Sequence, residues 1–420
     1  MRMINKIKFA KVKQYFNDTM INDIENHIKH QFLNSDIRER LSDKEKIGIT
    51  VGSRGIANLD IIVKSLIREL KAVGKKPFII PAMGSHGGAN SKGQELVLKS
   101  YGITEESMGV PILSSMETVK LGVVDTKKIP VFFSKAAMGM DGVIALNRIK
   151  AHTDFSGYIE SGVSKIMVIG LGKAKGARTI HSLGTYGLRK VIPQAAKLII
   201  EKVAVVQGIG ILENGYDQTM KIVFSPPEEI LINDNRLLKE SKEVMPRLPV
   251  DNIDVLISRE MGKNISGTGF DTNVIGRLNI NGEEGFEAPN ITRIVVFDLT
   301  EESHGNALGI GLADITTKEL IDKIDFKSTY ANIVTSTFLN RGKIPIVMVS
   351  QQRAVETALK TCWQNDPREI KMIFIKNTLD LENIFISEAV WDEIKNRKTI
   401  EICSPWETVD FNKGKMVLEF

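Results

Sequence analysis

Three apolar runs in the first half of the chain each end at a glycine-rich or polar loop. Lys46–Val51 alternates Ile47, Ile49 and Val51 with Gly48 and Thr50. It then enters Gly52-Ser53-Arg54-Gly55 and a helix-periodic segment from about Leu59 to Ala72. Lys76–Pro81 leads into Ala82-Met83-Gly84-Ser85-His86-Gly87-Gly88-Ala89, and Ser91–Ser100 again reads as helix. Gly142-Val143-Ile144-Ala145-Leu146 feeds Asn147-Arg148-Ile149-Lys150-Ala151-His152-Thr153-Asp154-Phe155-Ser156-Gly157. Buried strands alternating with helices specify an α/β fold, with a mostly parallel sheet and helices on both faces. In such sheets the loops at strand ends carry the chemistry.

The length of 420 residues predicts two domains. Two prolines in Pro246-Arg247-Leu248-Pro249 set the boundary. We expect a first domain over 1–246 and a second, smaller α/β domain over 250–398. The second contains strands Ile253–Ser258, Arg293–Leu299, Ile344–Val349 and Lys371–Ile375. The tail, 399–420, is strand-like and is expected to return to the N-terminal domain. A cleft between domains is the expected place for a small-molecule site.

Composition narrows the classes of partner. A net charge of +5 with no basic block gives no nucleic-acid surface. Cys362 and Cys403 stand in no metal-ligand spacing, which argues against zinc ribbons, iron–sulfur sites and disulfide scaffolds and fits a reducing compartment. The N-terminus lacks the apolar core of a signal peptide, and no run reaches bilayer-spanning length. The expectation is a cytoplasmic protein without membrane contact.

The candidate site residues follow the strand ends. His86 sits in a glycine loop with little bulk around it, unlike a core histidine. His27 and His30 instead lie on a helix-periodic segment and read as surface positions. Gly52, Ser53 and Arg54 form a turn whose N–H groups and guanidinium suit an anion. His152 follows the third strand, with Lys165 and His181 beyond it. Sixteen residues of straight helix rise roughly 24 Å, so Lys165 and His181 share one site only if the chain doubles back. Gly170, Gly172 and Gly176 are where a break is expected. The bland alternative is a helix–loop–helix with surface charges. Ile166–Gly172 imitates a dinucleotide-binding strand and turn, but Lys175 occupies the third glycine position, which discounts a nicotinamide site. A second glycine-rich loop, Met261–Asp271, offers Lys263 and Asp271 as polar candidates, with a solvated loop as the alternative.

Taken together, Gly52-Ser53-Arg54, Gly84-Ser85-His86, His152 before Phe155-Ser156-Gly157, Lys165, and His181 sixteen residues later resemble the nickel-pincer-nucleotide lactate racemase family. The resemblance covers most of the first domain. It implies a cofactor, nickel pyridinium-3,5-bisthiocarboxylate mononucleotide, tethered to Lys165, with His181 as the nickel ligand. It implies His86 and His152 as the acid/base pair, and Gly52, Ser53 and Arg54 on the nucleotide phosphate or the substrate. By that resemblance one histidine takes the hydroxyl proton of a 2-hydroxy acid while the Cα hydrogen leaves as hydride to the cofactor. Return to the other face inverts the centre. Cofactor-synthesis proteins are implied partners.

The chain departs from the family's pattern where an acidic residue would stand three before the arginine, since Val51 is there. The link from His152 to Lys165 is also longer, and Lys263, Asn264 and Lys343 are only candidates for substrate contacts in the second domain. The expected activity is therefore racemisation or epimerisation of a 2-hydroxy acid other than lactate. The alternatives are a nicotinamide-dependent oxidoreductase using Gly170–Gly176, or a non-catalytic protein that binds a nucleotide or small acid.

Overall fold

The computed structural model describes residues 3–418 and Phe420. The chain divides into two compact units, one of Asn17–Met245 and one joining the residues up to Phe16 to Pro246–Phe420.

The Asn17–Met245 unit is built on a five-stranded sheet, in the order Lys76–Pro81, Lys46–Val51, Gly142–Arg148, Val205–Glu213, Thr219–Ser225. The first four strands are parallel and the last is antiparallel. Both faces are covered, as the near-continuous apolar strands require. One face packs Ile62, Leu66 and Leu70 of helix Leu59–Ala72 with Ile28 and Phe32 of helix Ile24–Asn34. The other packs Ile166, Met167, Ile192, Ala196 and Ile230. A separate hairpin, Thr118–Val124 with Ile129–Ser134, lies on that second face through Val131 and Phe133.

From Lys46–Val51 the chain first adds Lys76–Pro81 on one side and later Gly142–Arg148 on the other. The order therefore reverses between Lys46–Val51 and Gly142–Arg148, which is where open α/β sheets leave a crevice at their carboxyl ends. The backbone ladder between these two strands ends at Ile49 and Ile144. Beyond it the Thr50 hydroxyl takes over, accepting from Leu146 N at 2.9 Å. The loops carrying Arg54 and His152 leave from the two sides of this gap.

The other unit has a mixed sheet in the order Ile346–Met348, Ile315–Thr317, Asn290–Leu299, Asn252–Met261, Met372–Ile375, Asn383–Ser387, Lys8–Gln14, Ile400–Ile402. The first five strands are parallel. Here the expected domain division changes in two ways. The first sixteen residues do not join the 1–246 domain, because Lys8–Gln14 pairs antiparallel with Asn383–Ser387. The tail does not return to the N-terminal domain either. Ile400–Ile402 pairs with Lys8–Gln14, so both chain ends complete the second sheet. Strand Asn383–Ser387 and helix Glu388–Ile394 lie where no element was expected.

Ile166–Gly170 is helical with π-type turns, not a strand, so it offers no strand lead to a dinucleotide fold. Its apolar residues are those of a core helix: Ile166, Met167 and Val168 are buried. Pro193, expected to kink a helix over Leu188–Lys202, lies just after a π-type irregularity in a continuous helical run, where the regular hydrogen-bond ladder is already broken. The π-type turns of Gly187–Val191 precede it.

Candidate functional site

His86 is held by its surroundings at both ring and backbone. Gly84, Gly87 and Gly88 have positive φ, the reason this loop needs glycine. A Cβ on Gly84 would also lie 3.1 Å from the Ile169 carbonyl, and Gly84 N donates to Gly170 O at 3.1 Å. The His86 loop is therefore pressed onto the segment that follows Lys165. The His86 Nδ1 pairs with Ser53 Oγ in a short hydrogen bond. The Ser53 carbonyl accepts from Tyr101 OH at 2.7 Å, which fixes the turn that carries both Ser53 and Arg54.

Gly52 lies over the Lys165 turn. A Cβ there would meet Ile166 Cδ1 at 3.4 Å and Asn147 Oδ1 at 3.6 Å. Asn147 Nδ2 in turn donates to Gly162 O at 2.9 Å, just before Lys165. Arg54 is exposed, while Arg148 is committed to an ion pair with Glu213.

The loop from His152 to Lys165 is organised by Glu160, which is fully buried. Its carboxylate accepts from His152 N at 2.9 Å and Gly157 N at 3.0 Å, and pairs with Lys242 Nζ at 2.6 Å. Its carbonyl accepts from Lys165 Nζ at 3.2 Å. The link between His152 and Lys165 is thus a built loop rather than slack. The His152 Nδ1 accepts from Asp154 N at 3.0 Å, and its ring stacks on Phe155 at 4.7 Å between centroids. That bond fixes the neutral tautomer with Nδ1 as acceptor.

Helix Ile230–Val244 braces this loop from behind. Asp234 accepts from Val163 N at 3.1 Å and Ser164 N at 2.7 Å, capping the turn that presents Lys165. Asn235 Nδ2 donates to Tyr158 O at 2.8 Å, and Lys242 on the same helix meets Glu160. Gly162 is required at the cap. Its φ is +97°, and a Cβ would come 2.7 Å from Asp234 Oδ1.

Charge and burial converge on one point. Burial, then the Lys165 ammonium, push the His152 imidazole down to about 3, with His181 and Arg54 adding to the fall and Asp154 opposing it. Burial also lowers Lys165 to about 8, against the raising influence of Asp154. His181 has an exposed surface, yet protein crowding on one side and the Lys165 ammonium lower it, with Asp154 opposing. The His152 side chain keeps 23% of its surface open. His152, Lys165, His181, Arg54 and Asp154 are therefore within electrostatic reach of one another, and His86 joins them through Ser53.

The chain does double back between Lys165 and His181, though not by glycine freedom. The break falls at Leu171–Lys173, and Lys173 itself takes positive φ. Gly170 serves close approach instead, since a Cβ there would sit 2.6 Å from Ala82 O. Among the described residues no group of three or more His, Cys, Asp or Glu is arranged to hold a metal. An amine near pKa 8 and a neutral imidazole beside an arginine fit a tethered, phosphate-bearing metal cofactor. In the other unit, Lys263 Nζ folds back to Gly267 O at 2.7 Å and Asn264 accepts from Thr300 at 2.7 Å, so both serve their own loop. Lys343 is exposed. Asp271, the remaining polar candidate there, caps the turn at Asn273 N at 2.9 Å.

A family model described as the lactate racemase N-terminal domain matches residues 4–190. The lactate racemase apoprotein from Thermoanaerobacterium thermosaccharolyticum is similar in structure, at 10% identity and TM-score 0.55, over 88% of this chain and 99% of that one. A Thermotoga maritima protein of known crystal structure is similar at 13% identity and TM-score 0.53, over 87% and 99%. At these identities the structures speak for the fold. No curated protein matches the chain by sequence. No helix among the described residues is long and apolar enough to cross a membrane. Residues 4–190 thus match a model of the lactate racemase N-terminal domain, and the chain is similar in fold to a lactate racemase apoprotein.

Proposed function

We propose that this protein is a racemase or epimerase of a 2-hydroxy acid that works with a nickel-pincer nucleotide. The observation that carries the reading is the convergence of Lys165, His181, His152 and Arg54 at the topological switch point, with His86 tied in through Ser53. When bound, the cofactor supplies a hydride acceptor that takes the Cα hydrogen and gives it back. Lys165, an amine lowered to about 8, is reactive enough near neutral pH to hold it covalently. His181, kept neutral, has a ring nitrogen for the nickel. Arg54 binds the substrate carboxylate or the nucleotide phosphate.

His152 and His86 move the hydroxyl proton, one for each enantiomer, because the two present that hydroxyl differently. His152 at about 3 is a weak base in the bare site. A neutral link at Lys165 removes the larger of its cationic depressants, and a bound carboxylate raises it further. Both changes bring it towards the range in which a general base works. Val51, where the family's pattern has an acid, is fully buried in the core. That departure supports a substrate other than lactate.

The test is inversion at Cα, followed by chiral chromatography, for a panel of 2-hydroxy acids with cofactor-loaded protein. Inversion of at least one acid, lost in His152→Ala and His86→Ala while the Lys165 adduct persists, is expected. Loaded protein that inverts none of them refutes the activity.

A further inference from the structure

Lys173 is fully buried, adopts a left-handed backbone, and has no carboxylate partner among the described residues. A buried ammonium without a counter-ion is costly unless its donors are used. Here they are. Its Nζ donates to the carbonyl of Pro81, the last residue of the strand that delivers the His86 loop, and to Gln94 Oε1 at 3.4 Å. Gln94 is itself fully buried. Its Nε2 donates to Gly84 O at 3.2 Å and to His86 O at 3.4 Å.

The ammonium has three donors and no acceptor, so the Gln94 amide must turn its oxygen towards Lys173. Its NH2 group then faces the two loop carbonyls. The loop is also wedged against Gly93 and Gln94, since a Cβ on Gly87 would lie 2.7 Å from Gln94 N. We propose that Lys173 is a positioning residue for His86, acting through the orientation it imposes on Gln94. The Ser53 contact aims the ring, and the Lys173–Gln94 pair fixes the backbone from which the ring is aimed. The proposal rests on the reading of His86 as a proton carrier, but its structural part is measurable without cofactor or substrate.

The discriminating variant is Gln94→Glu. A carboxylate still satisfies Lys173, so the core ion is not left unpartnered, yet it cannot donate to Gly84 and His86. Lys173→Met, which removes the source of the orientation, is the second variant. In the unloaded protein, hydrogen exchange of peptides spanning 83–93 is expected to rise about 10-fold in both, as two loop hydrogen bonds are lost. Modification of His86 by diethyl pyrocarbonate should change with it, while exchange over 150–165 stays as in the parent. In loaded protein, kcat is expected to fall about 10-fold or more with KM within about 2-fold. Unchanged exchange over 83–93 and unchanged His86 modification in Gln94→Glu would overturn the proposal. If the loop loosens as stated but parent holoprotein inverts no 2-hydroxy acid, the positioning holds and the assigned reaction fails.

Discussion

Asp234 makes a prediction whose sign and size both follow from its surroundings. Its carboxyl is buried and lifted from 3.8 to about 6 by desolvation, against the N–H groups of Val163 and Ser164 that favour the anion. The Ser164 hydroxyl also eases ionisation, although its Oγ makes no hydrogen bond of normal geometry. Because the folded pKa is raised, the folded state holds this proton between about pH 4 and 6 while the unfolded chain has released it. The unfolded state then binds fewer protons, so this group's contribution falls as pH rises through that window and is flat above it. Two pKa steps amount to about 3 kcal/mol. Asp234→Asn cannot ionise, so its stability relative to the parent should improve by about 2 kcal/mol between pH 4 and pH 6.5, the rest of the step lying below pH 4. Urea unfolding of both proteins at the two pH values measures this. Other carboxylates cancel in the difference, and so does any fixed cost of placing an amide against two N–H donors. A difference that does not vary with pH would refute the argument that Asp234 is a desolvated cap.

Two further outcomes follow from the same region. Lys165 should react with an acetylating reagent with a midpoint near 8, read by peptide mass spectrometry across pH, and Asp154→Asn should move that midpoint lower, since Asp154 is the main raising influence. A midpoint above 10 contradicts the burial of the amine. Glu160→Gln should destabilise by about 3 kcal/mol, the low end for a broken buried pair because the Lys242 side chain is 33% exposed. That corresponds to a fall in Tm of about 10 °C, and a fall under about 2 °C would show that Glu160 does not organise the loop.

What was legible in the sequence was local. Strand, glycine loop and following helix lie next to each other in the chain, so Lys46–Val51 to Ala72 and Lys76–Pro81 to Ser100 could be read directly. The histidines stood out because the chain has few of them and their loops are short of bulk, and Lys165 because its spacing to His181 ties it to them. The bracing residues did not. Glu160 looks like any acid near a tyrosine, and Asp234 and Lys242 sit on an amphipathic helix some seventy residues beyond Lys165. Their partners are chosen by packing. Lys173 was hidden because a lysine among glycines reads as a surface turn, and only the tertiary fold buries it. Ile166–Gly170 is the reverse case: its β-branched residues imitate a strand, the missing third glycine discounts a dinucleotide site, and a core helix occupies the segment. The strand Lys8–Gln14 was visible, but its partners lie at the opposite end of the chain, and no local pattern names them.

The central claim is that the crevice is built to hold a nickel-pincer nucleotide on Lys165. Peptide mass spectrometry of protein purified from a host that makes the cofactor tests it most directly. The account predicts a nickel-bearing nucleotide adduct on the peptide containing Lys165, absent from Lys165→Ala and stripped of nickel in His181→Ala. An unmodified Lys165 in such a host would contradict it.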